Sequence, residues 1–408
     1  MQLHLVGGFL GSGKTTAIGS ACELLRDRGV RAAVVTNDQG EMLVDTGALA
    51  GTAAAVAEVT GGCFCCRYPE LVERVAALAA DGAEHVFAEA VGSCVDIART
   101  VVNPLLRRRE VALQAVTLTV LADARLLAGY LAGRPLPWTN PTLDYLFERQ
   151  LAEAPLLVAS RADLVAAAWG GPEGLRDGLQ AGLPGRRLLV QDSRSAAGVA
   201  AWMRHIDASG AAGPSGAAGP SGAAAPGVPP SGDALLSGVE VDYERYGAAE
   251  AALAWNDREV ELTGVEGHTT GAARAVIEGV VAALRDRGGA VGHLKFLVRD
   301  HYRDAKVSVT GADLAGGGAV SGGAWRSQLP DLAGDRVTLI VNARVEMDAD
   351  ALDRLIDRAV AEAAVALSRE HSSTPVHAHT RSHAAFRPAY PEPVHRITPH
   401  GAAPPPHA

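Results

Sequence analysis

Aromatic residues make up only 4% of this 408-residue chain. Its interior therefore has to close through small side chains, and alanine is abundant. No apolar run is long enough to cross a bilayer, which excludes a membrane-spanning helix. The surplus of positive charge that non-specific nucleic-acid binding needs is also missing. There are 37 basic residues against 46 acidic ones, for a net charge of −9. Arg107-Arg108-Arg109 is the one dense basic cluster, and it reads as a solvated face. Cysteine is scarce at five residues, three of them crowded into four positions, so no disulfide framework is expected. A glycine loop begins at residue 8, which leaves no space for a signal peptide, and the cytoplasm is the expected compartment. What remains is ordinary: a hydrophobic fraction of 48% suits two or three domains with sizeable cores.

The most informative segment is Gly8-Phe9-Leu10-Gly11-Ser12-Gly13-Lys14-Thr15, which fits the phosphate-binding pattern G-x-x-x-x-G-K-[ST]. Residues 3–6 form a short apolar run ahead of it. Residues 16–28 follow with Ile18, Ala21, Cys22 and Leu25 at helical spacing and Gly29 as a stop. Strand, glycine loop and helix N-terminus together make an anion cradle, because successive backbone N–H groups turn toward one point and the helix dipole adds to them. Gly8, Gly11, Ser12, Gly13, Lys14, Thr15 and Thr16 are thus expected to bind a nucleoside triphosphate. Lys14 should reach the β- and γ-phosphates, and the Thr15 hydroxyl should ligate Mg²⁺.

Composition divides the chain. Over residues 1–208, apolar strand-like runs at 32–35, 86–88, 116–121, 156–159 and 188–190 alternate with helical patterns. This is the pattern of an α/β domain with a mainly parallel sheet. Residues 209–232 are rich in Gly, Pro, Ala and Ser and read as a linker. Residues 233–368 suggest a smaller α+β module, with strands at 236–241, 260–262, 294–298, 306–310 and 337–345 and helices at 272–287 and 349–367. The Pro- and His-rich tail, 369–408, is expected to be disordered.

Gly61-Gly62-Cys63-Phe64-Cys65-Cys66 is the second informative segment. Cys-x-Cys-Cys brings three soft thiolates close to one point and suits Zn²⁺, Cu(I) or a related thiophilic ion. Three thiolates leave a fourth position open, which fits transfer better than storage. Cys94 either completes the set or is a packed residue, and Cys22 falls on the apolar helix face.

Together, GGFLGSGKTT, VTNDQGEMLVD, GGCFCC and VFAEAVGSCVD resemble the CobW-type P-loop GTPases, relatives of the urease and hydrogenase nickel-insertion GTPases that act as metal chaperones or metal-centre insertases. The resemblance covers residues 3–205 and extends more weakly to the second module. It implies a switch near the nucleotide at Asn37, Asp38, Gly40 and Glu41, and an E-x-x-G element at Glu89 and Gly92. Glu89 follows an apolar run, so it should emerge at the carboxyl edge of the sheet, where it holds Mg²⁺ through water or orients the attacking water. Ser160-Arg161-Ala162-Asp163 stands where such GTPases read guanine with N-K-x-D. Asp163 is retained, Arg161 can lie over a purine, and Ser160 replaces Asn, which shortens or removes one polar contact. A plain surface loop is the other reading of that segment, and Gln191-Asp192-Ser193 is a further candidate to approach the base.

Seven of the thirteen histidines, His371, His377, His379, His383, His395, His400 and His407, lie in the tail. They read either as weak metal ligands or as low-complexity sequence. The expected function is a GTP-hydrolysing metal chaperone using Mg²⁺ and carrying a transition metal, zinc favoured, to a client metalloprotein. Neither nucleic acid nor membrane is an expected partner, and a homodimer stays open. The alternatives are a P-loop small-molecule kinase and a nucleotide-dependent metal sensor without significant turnover.

Overall fold

A computed structural model describes residues 1–38, 44, 49, 51–194, 196–211, 235–265, 268–288, 290–315, 324–332, 334–370 and 375–402. Gly40 and Glu41 lie outside these residues, as do linker residues 212–232 and His371 and His407.

Seven strands build the first sheet: β1 Gln2–Gly7, β2 Ala32–Asn37, β3 Ala55–Val59, β4 His85–Glu89, β5 Ala115–Asp123, β6 Leu156–Ser160 and β7 Leu188–Val190. Their order is β3-β2-β4-β1-β5-β6-β7, with parallel pairing throughout. Five of the strands match the runs expected from sequence, and β1 matches the run before the glycine loop. β3 was not anticipated, because AVAEV lacks a distinctive apolar block. Both faces are covered. Leu3, Leu5, Val86, Ala88 and Val120 enter one core, while Val6, Val34, Phe87, Leu121 and Val158 enter the other, as period-2 alternation requires. The chain leaves β1 toward β2 on one side and leaves β5 toward β6 on the other. The carboxyl ends of these adjacent strands therefore flank a topological switch point, the place where open α/β sheets bind ligands.

The second sheet has order β10-β9-β11-β8-β12 and is antiparallel: β8 Ala254–Thr263, β9 Val291–Arg299, β10 Asp304–Thr310, β11 Arg336–Val345 and β12 His377–Phe386. Val337, Leu339, Val341, Ala343 and Val345 alternate onto a core shared with the helices His268–Asp286 and Ala349–Glu370. The intervening Asn342 and Arg344 take the opposite face, turned toward the first sheet's domain. A short ladder joins β13 Ile397–Thr398 to β14 Gly401–Ala402.

Two expectations are corrected. The run 236–241 is not a strand. It leads into the helix Tyr243–Ala251, whose Tyr243, Tyr246 and Ala249 pack into the first core along with Leu253 and Trp255. The tail is not disordered over 375–402: β12 adds to the edge of β8, and the chain continues across the first domain. Pattern reading missed this because backbone pairing to an existing edge, rather than buried apolar area, holds such a segment. Among the described residues, no helix is long and apolar enough to cross a membrane.

Candidate functional site

The glycine loop joins β1 to the helix Lys14–Asp27. Gly8 has φ 129° and approaches β5 so closely that a Cβ would lie 2.1 Å from the Leu121 carbonyl oxygen. Gly13 caps the helix at φ 84°. Both conformations favour residues without a side chain. Lys14 is buried, and its Nζ donates to the carbonyls of Gly8 at 2.7 Å and Phe9 at 3.4 Å, inside the curve of the loop. The Thr15 hydroxyl donates to Glu89 Oε1 at 2.9 Å, so the helix start and the end of β4 meet. Thr16 is exposed beside them.

The segment Ser160-Arg161-Ala162-Asp163 is built into the same edge. The Ser160 hydroxyl lies 2.5 Å from the Ser12 carbonyl and 3.1 Å from that of Ala122, binding the loop to β5. This residue therefore braces the phosphate loop. Arg161, at φ 56°, reaches toward Asp123 at 3.8 Å and Asp313 at 3.5 Å. Asp163 pairs with the exposed Arg194 at 2.7 Å, and Gln191 donates to Ser193 at 2.9 Å.

The cysteine loop lies beyond β3. The sulfur of Cys63 stands 2.9 Å from that of Cys65 and 3.2 Å from that of Cys66, with 3.7 Å between the last two. Among the described residues, this trio is the one group of three or more His, Cys, Asp or Glu whose ligand atoms all lie within 4.8 Å of one another. The tail histidines His377, His379, His383, His395 and His400 form no such group. Cys94 is buried beside Cys63, to which it hydrogen-bonds, but stands outside the trio. Cys22 is core, as expected.

Electrostatics makes the trio asymmetric. Hydrogen bonds from Cys65, then Cys66 and Cys94, hold Cys63 well below the usual thiol range. The contact with Cys63, together with burial, pushes Cys65 well up and Cys66 up to about 12. The loop thus brings three sulfurs together, with Cys63 the most readily ionised, a donor set that fits a soft cation.

Asn37 connects this loop to the nucleotide end. Its amide donates to the carbonyls of Val59 at 3.0 Å and Gly62 at 2.7 Å, and its oxygen accepts from the Phe64 N–H at 2.9 Å. The next residue, Asp38, is gripped from the second sheet. Arg344 donates to both Asp38 oxygens at 3.1 and 3.2 Å, donates to Asp257 at 2.6 Å, and stacks 3.9 Å over Trp255. Asn342 accepts from the Val44 N–H at 3.3 Å. Sequence reasoning missed Arg344, Asn342 and Asp257. The signal was present as polar residues alternating with an apolar stripe in TLIVNARV, but it did not say what the polar face would meet.

Residues 2–176 match the family model described as "CobW/HypB/UreG, nucleotide-binding domain". Over these residues the first domain is similar to that nucleotide-binding domain. The CobW-type domain is also similar to two curated proteins. One is "Zinc chaperone YeiR" of Escherichia coli (strain K12), 45% identical over 67 residues, or 16% of this chain and 20% of that protein. The other is "Zinc chaperone CobW" of Sinorhizobium sp, 29% identical over 205 residues, or 42% of this chain and 53% of that protein. The chain therefore spans between a fifth and about half the length of the curated relatives it matches. Among solved structures, HypB from Helicobacter pylori in complex with nickel is 15% identical, with a TM-score of 0.35, covering 52% of this chain and 87% of that one.

Proposed function

We propose that this chain hydrolyses GTP and uses the nucleotide cycle to control a transition metal, zinc favoured, held by Cys63, Cys65 and Cys66 and passed to a client metalloprotein. The observation that carries this reading is Asn37: one side chain hydrogen-bonds on both sides of Cys63 while its neighbour, Asp38, belongs to the switch-like segment. Both curated relatives are named zinc chaperones, which supports the choice of metal.

In the hydrolysis, water attacks the γ-phosphorus, the bond to the bridging oxygen breaks, and GDP leaves with inorganic phosphate. Lys14 turns from its loop carbonyls to the γ-phosphate, and the loop N–H groups hold the remaining oxygens. Thr15 and Glu89 fit a Mg²⁺ ion through their adjoining oxygens, and such an ion offsets phosphate charge when bound. The Ser160–Ser12 contact keeps the cradle in shape while Asp163 exchanges the exposed Arg194 for the base edge.

Metal uptake has a defined proton sign. Cys65 and Cys66 carry raised pKa values, so each has to lose a proton before it ligates, while the pKa of Cys63 is lowered and it ionises first. Apparent affinity should rise with pH through the neutral range, with protons released as the metal binds. The test is Zn²⁺ affinity by competition with a chromogenic chelator, with and without a non-hydrolysable GTP analogue. Coupling of about 1–3 kcal/mol is expected, equal in both directions. Replacing all three cysteines by serine should remove zinc binding and the coupling while GTP binding persists. Identical zinc affinities in the two nucleotide states would end the chaperone reading.

A further inference from the structure

The chain that follows β12 crosses the cysteine loop. The Glu392 N–H donates to the Cys66 sulfur at 3.2 Å, and the Val394 N–H donates to the Cys65 carbonyl at 2.9 Å. These donors are two residues apart, the spacing at which an extended chain turns successive N–H groups to the same edge. Neither side chain drives the contact, since Glu392 is exposed and Val394 is 46% exposed. Anchors hold the strap beyond the cysteines. Arg396 donates to the buried Asp96 at 2.9 Å, the Asn103 amide donates to the Ile397 carbonyl at 2.7 Å, and His395 meets Tyr68 edge-on at 5.0 Å. Pro391 is buried at the near end.

We infer that the cysteine loop is a docking surface for an extended peptide, read through its backbone, and that this chain's own strap, residues 391–397, occupies it until an extended segment of the client takes its place. The inference rests on the metal-carrier reading and names how the client reaches the metal. With the strap seated, Cys63 and Cys65 are buried and Cys66 is only half-buried, so the seated strap narrows the approach to the trio. The strap also ties metal exchange to peptide exchange. Its N–H to Cys66 is a bond that any replacing segment has to remake or substitute with a ligand of its own. Main-chain pairing supplies affinity without demanding one sequence, which is how extended peptides are recognised at open edges.

The test uses the full-length protein loaded with Zn²⁺. Glu392→Pro with Val394→Pro deletes the two N–H donors and keeps the strap extended. Glu392→Ala with Val394→Ala alters both side chains and keeps the donors. The proline pair should release Zn²⁺ to a chromogenic chelator about twentyfold faster, the change two lost hydrogen bonds imply. The alanine pair should match the unmodified chain. Thiol labelling of the metal-free protein should follow the same order, and this readout stands even if zinc binding proves independent of the cysteines. A fluorescein-labelled synthetic peptide of residues 389–398 should bind the proline pair and slow its zinc release. The same peptide N-methylated at the positions of Glu392 and Val394 should do neither. Equal labelling rates in the proline and alanine pairs, or equal binding of the two peptides, would overturn the proposal. Retention of zinc affinity by the triple serine variant would instead overturn the metal reading alone.

Discussion

The phosphate loop and the cysteine loop are both glycine-led turns at the carboxyl side of one parallel sheet, yet they are held in different ways. The phosphate loop is shaped by its own backbone and by neighbours in the same sheet, although Gly11 also lies against Thr310 of β10. Gly8 closes on Leu121, Lys14 folds onto the carbonyls of Gly8 and Phe9, and Ser160 braces Ser12. The cysteine loop is assembled from afar, with Asn37 entering from β2 and Glu392 from beyond the second sheet. A motif whose geometry is local works wherever the chain places it. A site made from three distant segments responds to whatever moves any of them, which suits cargo that has to be taken up and let go.

That contrast can be broken at either end. The largest effect should come from Lys14→Ala. It removes the motif's γ-phosphate cation, and phosphate release should fall by at least about 10²-fold while the fold, followed by thermal unfolding, is kept. Next is Arg344→Met, which strands the buried carboxylate of Asp257 and releases Asp38. Removing one partner of a buried ion pair costs about 3–5 kcal/mol, to be read from urea unfolding. A double-mutant cycle with Asp38→Asn should show the two substitutions to be non-additive, whereas independent sites would add. The smallest of the three is Asn37→Ala. It removes three hydrogen bonds around the cysteine loop and should weaken zinc binding about 10- to 100-fold, the range for residues that orient metal ligands. Unchanged affinity in that variant would mean that the cysteine loop holds itself, as the phosphate loop does.

How far the sequence could be read follows from the same contrast. The strand–glycine loop–helix unit and the Cys-x-Cys-Cys trio declare themselves because each is contiguous. The placement of Glu89 at the carboxyl edge came from the family resemblance together with the apolar run before it, and its contact with Thr15 was not read from the sequence. Arg344 could not be found this way. Its position off the apolar stripe of β11 was visible, but its partners are 306 residues away at Asp38 and 87 away at Asp257. The tail failed for another reason. Proline and histidine argue against a buried core, and β12 with the strap needs none, because the edge of β8 and the sulfur and carbonyl of the cysteine loop supply the partners.

The strap has a consequence in the order of synthesis. Cys66 and Glu392 are 326 residues apart. At about 5–20 residues per second, the cysteines are made roughly 16–65 s before the segment that will cover them. Once β7 ends at Val190 the parallel sheet is fully encoded, and about 200 residues of synthesis still separate it from the segment that crosses the cysteine loop. On the strap proposal, a metal taken up during synthesis would meet no cover, and every later exchange would have to displace one.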